Sequence, residues 1–336
     1  MAHHTIDVSN PESLELIKSL IDQYLPLFSS KYFNICCDET FDLGKGRNKG
    51  GDEGKLYTGF VSKLIEHVES KGKTVMLWGD IVLKHAELLP EISEKAVLLN
   101  WDYRKNPPLG QIKCLERAGR RQIVCPGIGG WSRLSECVTV SESNIRKMAV
   151  FAVLCGADGL LNTNWGDYGH LCDPQNAMFG MILGAAEAWN PGAADKEYFD
   201  SAVSVLHYRN KDGSVVKALR MLSENDIFRN SFAFYREYTA CGSTAPDGQI
   251  CNDVKQQKET CQKALDLLDK ALENSTADAE SVKALRLAAN GCCLLAEGML
   301  KPEKEEAQRW KAEFSDWIEE FCVRWEKQNK KDELPV

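Results

Sequence analysis

The chain has 336 residues, is 43% hydrophobic, and carries 41 basic against 49 acidic residues for a net charge of -8. That length and apolar content suit one or two domains with a sizeable core. The absence of a basic stripe interleaved with aromatics argues against a nucleic-acid partner. No apolar run approaches the ~20 residues of a membrane span, so no membrane partner is expected. The N-terminal MAHHTIDVSNPES lacks the apolar core of a signal peptide. Thirteen cysteines, an odd number at irregular spacings, read as reduced and mostly buried thiols, and a cytoplasmic location is the expectation. The pairs Cys36-Cys37 and Cys292-Cys293 lack the spacing of a zinc site, and neither a metal nor a cofactor is expected.

In chain order, Pro11 to Phe28 reads as a helix after a Ser9/Asn10 cap, with Leu14, Ile17, Leu20, Ile21 and Leu25 on one face. Short apolar runs then alternate with amphipathic stretches, the mark of repeated βα units and a parallel sheet. The predicted strands are Tyr32 to Asp38, Thr74 to Trp78, Ala96 to Trp101, Gln122 to Cys125 and Gly159 to Thr163, with helices over Leu56 to Lys71 and Ser141 to Cys155. The fold class is therefore α/β, a partial (β/α)8 TIM barrel of about five βα units whose N-terminal strands are missing. After Asn190-Pro191-Gly192 strand signals stop. A barrel domain over 1-192 and an all-α domain over 193-336 are predicted, with long helices at Asp253 to Leu272 and Thr276 to Leu300, the latter capped by Ser275 or Thr276. The last helix carries Trp310, Phe314, Trp317, Phe321 and Trp325 on one stripe, which reads as core packing.

The first strand ends in two adjacent carboxylates, Asp38-Glu39. Alternation puts Asn34, Cys36 and Asp38 on one face, so Glu39 shares a site with Asp38 only if the strand stops and the backbone turns between them. The pair is also compatible with a helix cap, or with a divalent-metal site that includes Asp42. The glycine-rich loop at 44-51 lacks the G-x4-G-K-[ST] order and reads as a solvated loop rather than a phosphate cradle. Three later strand ends carry nearly the same phrase: Leu77-Trp78-Gly79-Asp80, Asn100-Trp101-Asp102-Tyr103 and Asn164-Trp165-Gly166-Asp167. In a parallel barrel all strand ends gather at one mouth, which would hold Asp38, Glu39, Trp78, Asp80, Trp101, Tyr103, Trp165 and Asp167, with Trp131 adding a further indole. Indole faces stack on a pyranose while carboxylates accept its hydroxyl protons, so these residue types suit a sugar. Taken singly, each phrase also fits a packing Trp followed by a capping Asp.

Lys31 to Thr40 (KYFNICCDET), Thr5 to Pro11, Val75 to Asp80 (VMLWGD) and Asn162 to His170 (NTNWGDYGH) resemble glycoside hydrolase family 20, the β-N-acetylhexosaminidases, over about residues 5 to 190. The resemblance implies exo-hydrolysis of terminal β-linked N-acetylglucosamine or N-acetylgalactosamine, in a member with a helical domain after the barrel. It also implies a substrate-assisted retaining mechanism, in which the acetamido oxygen attacks C1. Glu39 is then the general acid and base, its proton held by nearby indoles and the Asp38 charge, and Asp38 orients the acetamido group. Trp78, Trp101 and Trp165 form the walls and Asp167 accepts from outer hydroxyls. Where the family pattern has a Tyr and an Asp on the seventh strand, this chain has Cys125-Pro126-Gly127, with Trp131 beyond and Tyr103 as a stand-in. The family's sugar-binding Arg lies on the first strand, in the part of the barrel that this chain lacks. The expected partner is a glycan ending in N-acetylhexosamine. Open sheet edges add an expectation of self-association as a homodimer. The alternative reading is a truncated, weakly active or inactive fragment that acts at most as a carbohydrate-binding protein.

Overall fold

The computed structural model describes residues 4–193, 195–228, 248–273, 277–300 and 304–330. Five parallel strands, β1 (Tyr32–Asn34), β2 (Thr74–Trp78), β3 (Val97–Trp101), β4 (Gln122–Cys125) and β5 (Gly159–Leu160), form one sheet in sequence order. Helices α1 (Pro11–Tyr24), α2 (Glu53–Ser70), α3 (Asp80–Lys84), α4 (Leu109–Arg117) and α5 (Val138–Leu154) alternate with them. From Asp167 onward every regular element among the described residues is helical. No described helix is long and apolar enough to cross a membrane.

The chain divides into two compact units, the first made of Met1–Asp102, Asn106–Pro126 and Lys147–Leu161, the second of Tyr103–Lys105, Gly127–Arg146 and Asn162–Val336. In the first unit the sheet is apolar on both faces, as a sheet of parallel βα units requires. On one face Val75, Leu77 and Leu98 pack against Ile21 of α1 and Tyr57, Val61, Leu64 and Ile65 of α2. On the other, Trp78, Leu99 and Cys125 form a smaller cluster flanked by Met76, Trp101 and Ile123. Asn10 caps α1 as expected, its side chain accepting from the Glu12 N–H at 3.1 Å. Leu20, expected on the buried face, is exposed together with Leu16, Tyr24, Leu27 and Phe28.

The second unit has a core that runs from Ile128, Val138 and Ile145 through Phe179 of α7 (Met178–Trp189) and Phe199 of α8 (Lys196–Leu206). It continues into α9 (Ser214–Ser223), α10 (Gly248–Glu273), α11 (Ala279–Met299) and α12 (Lys304–Glu326). Asp278 occupies the cap position of α11, and the expected caps Ser275 and Thr276 lie outside the described residues. The aromatic stripe of α12 is packing: Trp317 and Trp325 are buried, and the indoles of Trp310 and Trp317 donate to Leu294 and Leu287 carbonyls at 2.8 and 2.9 Å. Fully buried Glu136 accepts from the Gly180 N–H at 2.7 Å in the first turn of α7. The eleven cysteines whose side chains are described are free, and Cys36 is exposed rather than buried.

Two strands, β1 and β5, stop several residues short of their predicted ends. β1 stops at Asn34, because Cys36 and Cys37 take positive φ values of 61° and 68° and leave the extended region. The alternation that would align Asn34, Cys36 and Asp38 therefore does not hold. β5 stops at Leu160, although Thr163 still bridges Gly127 in parallel. The loop at 44-51 contains a short 3-10 turn, Gly46–Asn48, and is tied at Lys45 and Asn48: Lys45 Nζ donates to the Phe41 carbonyl at 2.7 Å and Asn48 Nδ2 to Asp7 at 3.1 Å.

Candidate active site

In the first unit the chain beyond β1 leaves extended geometry at Cys36, Cys37 and Glu39, the last with φ of 50°. Three hydrogen bonds hold this bend. The Trp78 N–H donates to the Cys36 carbonyl at 3.0 Å, the Tyr57 hydroxyl to the Cys37 carbonyl at 2.9 Å, and the Glu39 N–H to Asp80 Oδ2 at 3.1 Å. Asp38 is half-buried and Glu39 exposed, so the two adjacent carboxylates meet different environments. The strand stops before both of them, and the backbone is left-handed at Glu39.

Trp78 closes β2 and is buried against Leu99 and Cys125, with Trp101 at the edge of the same cluster. The register sets Trp78 opposite Leu99 and Trp101 opposite Cys125. Asp80 opens α3 and also accepts a side-chain hydrogen bond from Trp101. Burial raises the Asp80 carboxyl above its ordinary range and the charge of Asp38 adds to the effect, while the Glu39 N–H opposes it. Asp38, Glu39, Trp78, Asp80 and Trp101 thus form one cluster at the carboxyl ends of β1 to β3. Sequence reasoning placed Asp80 at the mouth but gave it no role, and it missed Tyr57. Neither role is visible without knowing which backbone atoms end up exposed by the bend.

In the second unit Tyr103, Trp131 and Trp165 come together. The Trp165 indole donates to the Tyr103 hydroxyl at 2.8 Å, and the Tyr103 and Trp131 rings meet edge to face with centroids 4.9 Å apart. Trp165 is 36% exposed, and Tyr103 and Trp131 are half-buried, so the group is partly open to solvent. Asp167, at the first position of the short helix α6 (Asp167–His170), is exposed. Among the described residues no three His, Cys, Asp or Glu side chains are grouped to hold a metal ion.

No family model matches the chain. Over 88 residues, 22% of this chain and 8% of the relative, it is 32% identical to a lacto-N-biosidase of Bifidobacterium bifidum. Among solved structures, a Flavobacterium johnsoniae chitobiase named as a GH20 enzyme aligns with 94% of this chain and 56% of its own, at 15% identity and a TM-score of 0.45. A GH138 enzyme targeting pectin rhamnogalacturonan II aligns with 99% of this chain and 61% of its own at 11% identity, with a TM-score of 0.54, a likeness of fold. The chain spans less than two thirds of each of these proteins.

Proposed function

We propose that the chain is the C-terminal part of a family 20 (β/α)8 barrel followed by a helical region from residue 193, and that it is a β-N-acetylhexosaminidase acting on glycans with a terminal β-linked N-acetylhexosamine. The observation that carries this reading is the cluster in the first unit: Asp38 and Glu39 on a tethered bend at a strand end, beside Trp78 and Trp101. Exposed Glu39 donates a proton to the leaving glycosidic oxygen. The acetamido oxygen of the substrate attacks C1, and Asp38 accepts the acetamido N–H and offsets the positive charge that develops. Glu39, now a carboxylate, takes a proton from the water that opens the oxazolinium intermediate. Trp78 and Trp101 wall the acetamido group, Tyr103, Trp131 and Trp165 offer stacking faces, and Asp167 accepts from sugar hydroxyls. Asp80 is a positioning residue for Glu39.

The mechanism makes the acetamido group indispensable. The purified chain is expected to hydrolyse an aryl β-N-acetylglucosaminide and to leave the matching aryl β-glucoside intact, measured as phenol release. Equal rates on both would refute the substrate-borne nucleophile. Hydrolysis of neither, with tryptophan fluorescence still responding to N-acetylglucosamine, favours a carbohydrate-binding fragment.

The same reading includes a reducing, cytoplasmic setting, supported by the free cysteines. It also includes self-association, supported by the exposed apolar residues Leu16, Leu20, Tyr24, Leu27 and Phe28 along and after α1. Light scattering is expected to give twice the chain mass, and a mass of one chain counts against it.

A further inference from the structure

Asn144 is a polar residue on α5, fully buried at 0% exposure, in a helix whose neighbouring inward residues are Ile145 and Met148. A buried amide persists there only if its hydrogen bonds are made. Its Oδ1 accepts from the Gly127 N–H at 3.1 Å and its Nδ2 donates to the Arg104 carbonyl at 2.8 Å. Each bond grips a segment that carries an aromatic ring: Arg104 follows Tyr103, and Gly127 lies four residues before Trp131. The Gly127 segment in turn pairs with a third, since Gly127 bridges Thr163 and the Ile128 N–H donates to the Thr163 carbonyl at 3.0 Å, two residues before Trp165. One side chain therefore ties together the backbones that present Tyr103, Trp131 and Trp165.

Gly127 is fitted to the same purpose. A Cβ there would sit 2.7 Å from both Trp131 Cη2 and Tyr103 Cδ1, closer than carbon atoms approach, so only glycine lets the two rings come this close to the backbone at 127.

We propose that Asn144 is the positioning residue of the Tyr103–Trp131–Trp165 group and that, through it, Asn144 sets the affinity for the sugar. The second half of this statement rests on the hexosaminidase reading, and the first does not. Two readouts separate them. With the indole nitrogens labelled with 15N, Asn144→Leu is expected to move the Trp165 N–H resonance upfield, because its bond to the Tyr103 hydroxyl is lost. In hydrolysis of an aryl β-N-acetylglucosaminide the same variant is expected to raise KM about tenfold, the size of one or two lost buried hydrogen bonds, with kcat changed much less. Gly127→Ala, which crowds the rings while keeping both the Asn144 side chain and the backbone N–H that donates to it, is expected to shift the same indole resonance and KM.

A folded Asn144→Leu protein with an unmoved Trp165 resonance and an unchanged KM overturns the proposal. A chain that hydrolyses nothing removes the hexosaminidase reading while the resonance still reports on Asn144. Should Asn144→Leu fail to fold, hydrogen exchange in the unaltered protein decides: Gly127 must exchange slowly, and exchange at the solvent rate refutes the clamp.

Discussion

Replacing Glu39 by Gln is expected to lower kcat on an aryl β-N-acetylglucosaminide by roughly 10² to 10⁴, the range for losing a positioned general acid. The substitution keeps the shape and the backbone N–H that donates to Asp80, so the bend and the carboxylate of Asp38 stay in place. What is lost is the proton. The amide of Gln cannot protonate the leaving oxygen, nor can it take a proton from water afterwards. The size of the loss should depend on the leaving group: a strongly activated nitrophenol departs without protonation and loses least, an unactivated disaccharide most. Equal rates for the variant and the unaltered chain on both kinds of substrate would remove Glu39 from the chemistry.

The second large effect concerns stability rather than rate. Glu136 is fully buried, and burial pushes its pKa from 4.5 up to about 8, although the N–H groups of Gly180 and Phe179 and the charge of Arg220 pull the other way. The folded protein therefore prefers Glu136 protonated, while the unfolded chain ionises it at its ordinary pKa. A group raised on folding contributes stability that is fully present below about pH 4.5 and is lost as pH rises toward about 8. At 1.36 kcal/mol for each tenfold change in proton affinity, the loss across that window is on the order of 5 kcal/mol. Glu136→Gln, which copies the neutral acid, should remove this pH dependence. The check is the urea midpoint of both proteins at pH 5 and pH 8: the unaltered chain should fall relative to the variant, and parallel behaviour would exclude a buried proton at Glu136.

The parts of this molecule that could be read from the residues are those governed by local pattern. β2 and β4 fall where apolar runs predict them, Thr74–Trp78 and Gln122–Cys125, because a strand between helices needs near-continuous apolar residues and little else. The Trp phrases marked residues of both clusters, since Trp and Asp at a strand end are few in kind and recur in register. β1 was read too long because Cys36 and Cys37 carry no sign that they will adopt positive φ, a conformation usually left to Gly or Asn. Asn144 and Glu136 were missed for a different reason. Both bond to backbone groups 17 to 44 residues away in sequence, and a polar residue in an amphipathic stretch looks the same whether it faces water or a buried carbonyl. Tertiary partners of backbone atoms leave no periodic trace.

The bend after β1 has a wider consequence. Left-handed backbone costs a residue with a side chain on the order of 1 to 3 kcal/mol, and Cys36, Cys37 and Glu39 adopt it within four positions. Tethers from Trp78, Tyr57 and Asp80 keep the chain there against that cost. The backbone that carries the acid pair is thus fixed by the fold, and on the hexosaminidase reading a sugar that arrives has no reorganisation to drive there. If the pair is catalytic, sturdiness and turnover are set against each other in these four residues: a glycine in place of Cys36 or Cys37 is expected to relax the backbone, and with it the aim of the carboxylates.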